Sequence, residues 1–262
     1  MSASPDKFSD LTARMSSAAV MAVVGIGAIW AGGLWFTALV CVICAALVWE
    51  LARMLGVGQN VALALGGVAV ASLLGGWMQQ STAGLLFLAI PPIACSVAVS
   101  QHRALHSAFS VLIMVACLAL LVLRIDGVVW MLWLALVVVA TDVLGYFAGR
   151  IIGGPKFWPK VSPKKTWSGT AAGWVAAAIV GIFFIGVSGV GFEVVVFSVL
   201  ISMASQAGDV AESALKRRMG VKDSSNLIPG HGGFFDRFDG MLGAAVILLP
   251  IMLLVGFPPI LN

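Results

Sequence analysis

The residues best suited to chemistry lie between Gly208 and Asp239. Asp209, Glu212, Ser213 and Lys216 follow an i, i+3, i+4, i+7 spacing, so on a helix they form one polar stripe. Arg217, Lys222 and Asp223 come next, followed by Pro229-Gly230-His231-Gly232-Gly233 and then by Asp236, Arg237 and Asp239. Gly230, Gly232 and Gly233 permit a tight backbone with exposed amides, the raw material of a phosphate nest. Asp209 and Asp236 belong to separate helical stretches and could flank a divalent cation. Mg²⁺ commonly takes one or two carboxylates plus substrate phosphates. The competing reading is a solvated loop of mixed charge with ion pairs at helix ends. So many acids, bases and glycines packed against two apolar runs speak against it. His231 is open to a structural or a catalytic role, but no second His or Cys is placed to make it a metal ligand.

Two further segments carry polar groups. Asp142, Tyr146 and Arg150 are spaced i, i+4, i+8 and share one helical face. An acid inside an apolar span is costly and marks a functional candidate, although pairing with Arg150 at the bundle's edge would also account for Asp142. Gly145 and Gly149 would let another helix approach closely. Next come Gly153-Gly154-Pro155-Lys156 and Ser162-Pro163-Lys164-Lys165-Thr166. Lys164, Lys165 and Thr166 offer point charges and a hydroxyl to a triphosphate or a lipid phosphate. A basic loop beside a membrane also attracts anionic lipid without any catalysis, and both readings stay open on spacing alone. No GxxxxGK[ST] loop occurs.

These segments must be held by elements that suit a bilayer. Of the 262 residues, 61% are hydrophobic and 10% charged, against roughly 25% charged in a soluble domain. The expected fold is all-α: a polytopic transmembrane bundle forming a single integral membrane domain, with its polar pocket at the cytoplasmic face. Residues 1–125 supply N-terminal spans; 126–262 supply the chemistry-bearing spans and loops. Nine spans are expected, near 16–33, 35–52, 60–77, 82–100, 106–123, 127–149, 168–189, 191–212 and 240–258. Each approaches the ~20 apolar residues that a crossing requires. Pro91-Pro92 should kink the fourth. The first run is too long for a cleaved signal core and is read as a retained span. With nine crossings, every one of the 15 basic residues except Arg124 falls on one side, which the positive-inside rule makes cytoplasmic. Met1 is then inside and Asn262 outside. Basic residues clustered between apolar runs argue against a nucleic-acid partner. The four cysteines, all in apolar runs, show no zinc spacing.

The stretch from Ser213 to Asp239 resembles the signature of the phosphatidate cytidylyltransferase family, also called CDP-diacylglycerol synthases. That pattern is a Ser, then Lys-Arg, Lys-Asp, Pro-x-His-Gly-Gly, and finally Asp-Arg and Asp. Here it is Ser213, Lys216-Arg217, Lys222-Asp223, Pro229-Gly230-His231-Gly232-Gly233, Asp236-Arg237 and Asp239, in order and at family spacing. The resemblance extends to Asp142–Arg150 and to the Ser-Pro-Lys-Lys-Thr run; the first five spans match only in general character. It implies Mg²⁺ as cofactor, with a second cation left open, and CTP and phosphatidic acid as substrates met in the bilayer of a bacterial-type inner membrane. It implies that Asp209 and Asp236 hold the metal. Catalytic roles are expected for Asp142, Asp209, Lys216, His231 and Asp236. Substrate contacts are expected from Lys164, Lys165, Thr166, Ser213, Arg217, Lys222, Asp223, Gly232, Gly233, Arg237 and Asp239. Relatives look dimeric, and small-residue helix faces fit a homodimer. One departure stands out: many relatives carry an acid where this chain has Ser168, leaving any role of that acid to another group such as Glu212.

The expected reaction is direct displacement, phosphatidate oxygen on the α-phosphorus of CTP with pyrophosphate leaving. Such transfers depend on positioning and charge stabilisation. A CTP-dependent polyprenol kinase would use a similar pocket but release CDP. A CDP-alcohol phosphotransferase fits poorly, since neither Asp126-Gly127 nor Asp239-Gly240 continues into DGxxAR. A transporter would place its polar groups near the membrane midplane and often show a repeat; here they gather at one interface and no repeat is found.

Overall fold

The computed structural model describes residues 7–79, 81–99 and 101–259, with side chains from residue 15 onward except at 82 and 188. The two chain ends that the charge pattern assigns to opposite sides, Met1 and Asn262, lie outside these residues, as do the Lys7 and Arg14 side chains. Among the described residues there are nine α-helices: α1 (Lys7–Ala31), α2 (Gly33–Met54), α3 (Gln59–Gln79), α4 (Ile90–Ala98), α5 (Arg103–Asp126), α6 (Val128–Ile151), α7 (Trp167–Phe183), α8 (Glu193–Met219) and α9 (Phe235–Val255). A two-stranded antiparallel hairpin, β1 (Lys156–Trp158) and β2 (Ser162–Thr166), separates α6 from α7.

Six helices, α2, α3, α5, α6, α8 and α9, are long and apolar enough to cross a membrane. The apolar stretches Met15–Ala31, Ala83–Ala98 and Trp167–Phe183 are shorter, 10–17 residues each. The all-helical, multi-span expectation therefore stands in its coarser form. The fourth stretch is short for a physical reason. Thr82–Ala89 winds as a 3₁₀ helix, and Pro91 and Pro92 sit in the first turn of α4, where a missing N–H costs nothing. The prolines start an α-helix here rather than bend one. The seventh begins at Trp167, behind its N-cap Thr166, and stops at Phe183; Gly186, at φ +86°, turns the chain away.

Close helix approach sets the architecture of α6–α9. In lipid, small residues let backbones meet where no hydrophobic driving force exists. A Cβ added to Gly145 of α6 would lie 3.0 Å from the Gly169 carbonyl of α7, and one on Gly169 would lie 2.5 Å from the Gly145 carbonyl. Gly208 of α8 and Gly243 of α9 face each other in the same way, a Cβ on either coming within 2.9 Å of the other's Cα. The N-terminal helices join this half through α5 against α9 and through the end of α2 against the start of α9. Between them runs a buried apolar core that includes Leu47, Leu51, Leu73, Met114, Leu121 and Leu134. Its two fully buried tryptophans are satisfied: Trp133 Nε1 donates to Ser198 Oγ at 2.9 Å, and Trp130 Nε1 to the Pro259 carbonyl at 2.9 Å.

Candidate functional site

Polar side chains on α8 continue from that core toward the end of the bundle carrying the hairpin. Ser198, Ser202 and Ser205 are buried on one face. Thr141 Oγ1 reaches Ser202 Oγ at 2.8 Å, and Gln206 joins Trp174 Nε1 (2.9 Å) to the Thr170 carbonyl (3.2 Å). Asp209, Glu212 and Lys216 extend the stripe. It serves two distinct regions.

The first is an open cavity of about 760 Å³. Asp142, Tyr146 and Arg150 of α6 form one wall, Lys156, Lys164, Lys165 and Thr166 of the hairpin another, and Gln206 and Asp209 of α8 a third. Its walls stand close because of the small residues. A Cβ on Gly149 would lie 2.8 Å from Thr166 Oγ1, and that hydroxyl accepts from Gly169 N at 3.2 Å, capping α7. Ser168, the position where relatives often carry an acid, ties the cap to the loop before the hairpin: its hydroxyl donates to the Gly153 carbonyl at 2.5 Å and meets Thr166 Oγ1 at 3.0 Å. Lys165 pairs with Asp209. Arg150 donates to Tyr146 Oη at 2.9 Å instead of pairing with Asp142. Asp142 is exposed in the cavity wall and, among the described residues, makes no ion pair.

The second region is closed. Asp236, whose side chain is only 6% exposed, accepts at Oδ1 from Lys216 (2.6 Å). Its Oδ2 accepts from Ser224 N (2.8 Å), Ser224 Oγ (2.7 Å) and Gly233 N (2.8 Å). Lys216 also pairs with Glu212 at 2.6 Å. Behind Ser224 lies Glu50 of α2, fully buried. Glu50 accepts from Phe234 N (2.9 Å), Phe235 N (2.7 Å) and Ser225 Oγ (2.5 Å), with Ser224 Oγ 3.2 Å away. Of the three glycines expected to cradle a substrate phosphate, Gly233 gives its amide to Asp236, and the next two amides, of Phe234 and Phe235, go to Glu50. Gly233 is required for this approach, because a Cβ there would collide with both Ser224 Oγ and Glu50 Oε1.

The remaining expected site residues fall around these two regions. His231 Nδ1 meets Ser17 Oγ of α1 at 2.6 Å, and its carbonyl accepts two bonds from Arg237, at 3.0 and 2.9 Å. Gly232, at φ +83°, keeps its Cα face against Asp236 and Asp223. Arg217, Lys222, Asp223 and Arg237 are exposed, and Ser213 is half-buried on α8. Asp239 connects the regions: its carboxyl lies beside that of Asp209 while Gly240 N donates to its Oδ1 at 2.8 Å. Glu50 was not anticipated from the sequence. The signal was present, an acid inside an apolar run, the same one that singled out Asp142.

The Asp209 side suits a divalent cation better than the Asp236 side. Both Asp236 oxygens are taken by protein donors. Asp209 and Asp239, by contrast, are neighbouring carboxyls with Lys165 their one ion-pair partner among the described residues, and a divalent cation would relieve the repulsion between them. Ser205 Oγ, buried and without a hydrogen-bond partner among the described residues, borders the same helix contact: a Cβ on Gly240 would lie 2.8 Å from it and 3.8 Å from Asp142 Oδ2. Among the described residues no three His, Cys, Asp or Glu side chains form a preformed cage, and Mg²⁺ does not need one when substrate phosphates complete its shell.

Residues 12–255 match the family model described as "Cytidylyltransferase family". A protein of Brucella abortus named phosphatidate cytidylyltransferase is 33% identical over 269 residues, covering 97% of each chain. One of Brucella suis with the same name is 34% identical over 255 residues, 92% of each. One of Helicobacter pylori, again so named, is 45% identical over 123 residues, 46% of each.

Proposed function

This chain belongs to the cytidylyltransferase family, and from that premise we propose that it transfers CMP from CTP to phosphatidic acid, giving CDP-diacylglycerol and pyrophosphate. The observation that carries the reading is the open cavity, where Lys156, Lys164 and Lys165 stand across from Asp142 and Asp209. Cations for a triphosphate and carboxylates for a metal share one water-accessible space at the end of a membrane bundle.

In this reading Lys164, Lys165, Lys156 and Arg150 gather the phosphates of CTP and offset the repulsion between two anionic substrates. A phosphatidate oxygen attacks the α-phosphorus, and the bond to the β-phosphate bridging oxygen breaks. Phosphatidate is already ionised, so no strong base is needed, and His231, held against Ser17, shapes the loop. Mg²⁺ held by Asp209 and Asp239 would neutralise charge on the nucleotide phosphates. Asp236 then braces Lys216, a different role from the metal ligation implied by the family resemblance. Exposed Arg217, Lys222 and Arg237 would draw the anionic headgroup to the interface. The nine helical stretches act as nine crossings in an inner membrane, with the cavity facing the cytoplasm. Two contacts support that alternation. Arg124, at the end of α5, binds the last carbonyls of α1 (Ile29 O, 2.7 Å; Trp30 O, 3.3 Å), and the end of α2 meets the start of α9. A homodimer completes the proposal.

The test uses purified protein in detergent with phosphatidic acid, Mg²⁺ and CTP labelled on the α-phosphate. Label entering the lipid with matching pyrophosphate, abolished by EDTA, is the expected result. CDP appearing only when a polyprenol is supplied, with no labelled lipid, would make the protein a lipid kinase instead.

A further inference from the structure

We propose that Glu50, contributed by an N-terminal helix, is a positioning residue for the active site, setting the first turn of α9 and with it Asp236 and Asp239. The inference rests on the cytidylyl-transfer reading and adds to it a residue outside the signature stretch.

A fully buried carboxylate is expensive unless every lone pair is matched. Glu50 is matched by donors alone: the amides of Phe234 and Phe235 and the Ser225 hydroxyl, with the Ser224 hydroxyl close by. Phe234 and Phe235 are the N-cap and first residue of α9, so Glu50 satisfies N–H groups that a helix start leaves open and places negative charge at its positive end. Neither residue could do this for itself, because a Phe side chain has no acceptor.

Ser224 joins the clamp to the site. Its hydroxyl proton goes to Asp236, the nearer carboxylate at 2.7 Å, and its oxygen also abuts Glu50 at 3.2 Å. One turn further along α9, Asp239 meets Asp209. A small rotation of α9 would therefore move both acids. Lys164, Lys165 and Thr166, which face the nucleotide side of the cavity, sit on the hairpin and have no contact with Glu50 among the described hydrogen bonds and ion pairs. Loss of Glu50 should consequently disturb alignment and leave nucleotide capture intact, a kcat effect without a KM effect.

Glu50→Gln keeps the shape but turns an NH₂ toward donors. In cytidylyl transfer by the full-length variant, kcat should fall by about tenfold or more, as small misplacements at reacting centres do, with KM for CTP within about twofold of wild type. Hydrogen exchange should quicken for amides 224–236 and stay unchanged in α5 to α8. Unchanged kcat, or protection lost across the whole bundle, would overturn the proposal. If Glu50→Gln does not accumulate, Ser225→Ala decides, since it removes one donor from Glu50 and touches neither Asp236 nor the cavity. A kcat reduced about threefold at constant KM supports positioning, and wild-type kcat refutes it. Wild type inactive in CMP transfer would instead defeat the functional reading and leave the exchange comparison standing.

Discussion

Asp209 and Asp236 are equivalent in the sequence, each an acid at the polar end of an apolar helix, and the fold gives them opposite surroundings. Asp209 lies on the wall of an open cavity, paired with Lys165 and beside the Asp239 carboxyl. Asp236 lies in a closed cluster where four protein donors saturate it. A carboxylate with unused lone pairs beside a cavity can act on a substrate. A saturated, buried one has spent its capacity on the protein, and removing it leaves Lys216 with Glu212 alone and the Ser224 and Gly233 amides unmatched. The difference separates a working acid from a bracing acid, a division that composition and spacing do not reveal.

The largest effect that could break this comparison is at Asp209. Asp209→Asn should lower turnover by about 1,000-fold or more, the scale of losing key charge stabilisation at a reacting centre, while expression and melting temperature in detergent stay near wild type. A melting temperature as depressed as that of the Asp236 variant would erase the distinction. Asp236→Asn should show the reverse emphasis. Breaking a buried ion pair from one side costs about 3–5 kcal/mol, so thermal denaturation should shift clearly downward, and turnover should fall less than in Asp209→Asn. Gly149→Ala sharpens the account at the smallest scale. The added methyl would press on Thr166 Oγ1 and spread α6 from α7, costing about 1–3 kcal/mol as overpacking does. A few-fold loss in kcat/KM for CTP should accompany it, and an unchanged CTP profile would show that the α6–α7 spacing does not shape the cavity.

Much of this could be read from the chain because strong, local signals carry it. Apolar length alone places α2, α5, α6, α8 and α9, and the Gly208–Asp239 spacing puts Asp209, Glu212 and Lys216 on one stripe. Gly145 and Gly149 announce the α6–α7 contact. What was not legible depends on partners far apart in sequence. The basic loop folds as a hairpin because its strands pair with each other and Trp167 packs on Phe157, centroids 4.8 Å apart, against a background of prolines that suggests irregular chain. The glycine-rich segment has a phosphate nest's composition, yet Asp236 takes the Gly233 amide and Glu50 the two that follow, and Glu50 lies 184 residues from Phe234. No local pattern encodes that pairing. Pro91 and Pro92 show the same limit on a smaller scale, since only the preceding 3₁₀ turn decides that they begin a helix.

The most direct test of the division between the two acids is ligand stabilisation. Wild type, Asp209→Asn and Asp236→Asn would be melted in detergent with and without CTP and Mg²⁺. Binding to the folded state alone adds about 2.7 kcal/mol at a hundred times Kd. An upward shift is expected in wild type and, from a lowered baseline, in Asp236→Asn, with little or none in Asp209→Asn. A full shift in Asp209→Asn together with none in Asp236→Asn would contradict it and return metal and nucleotide to the closed cluster.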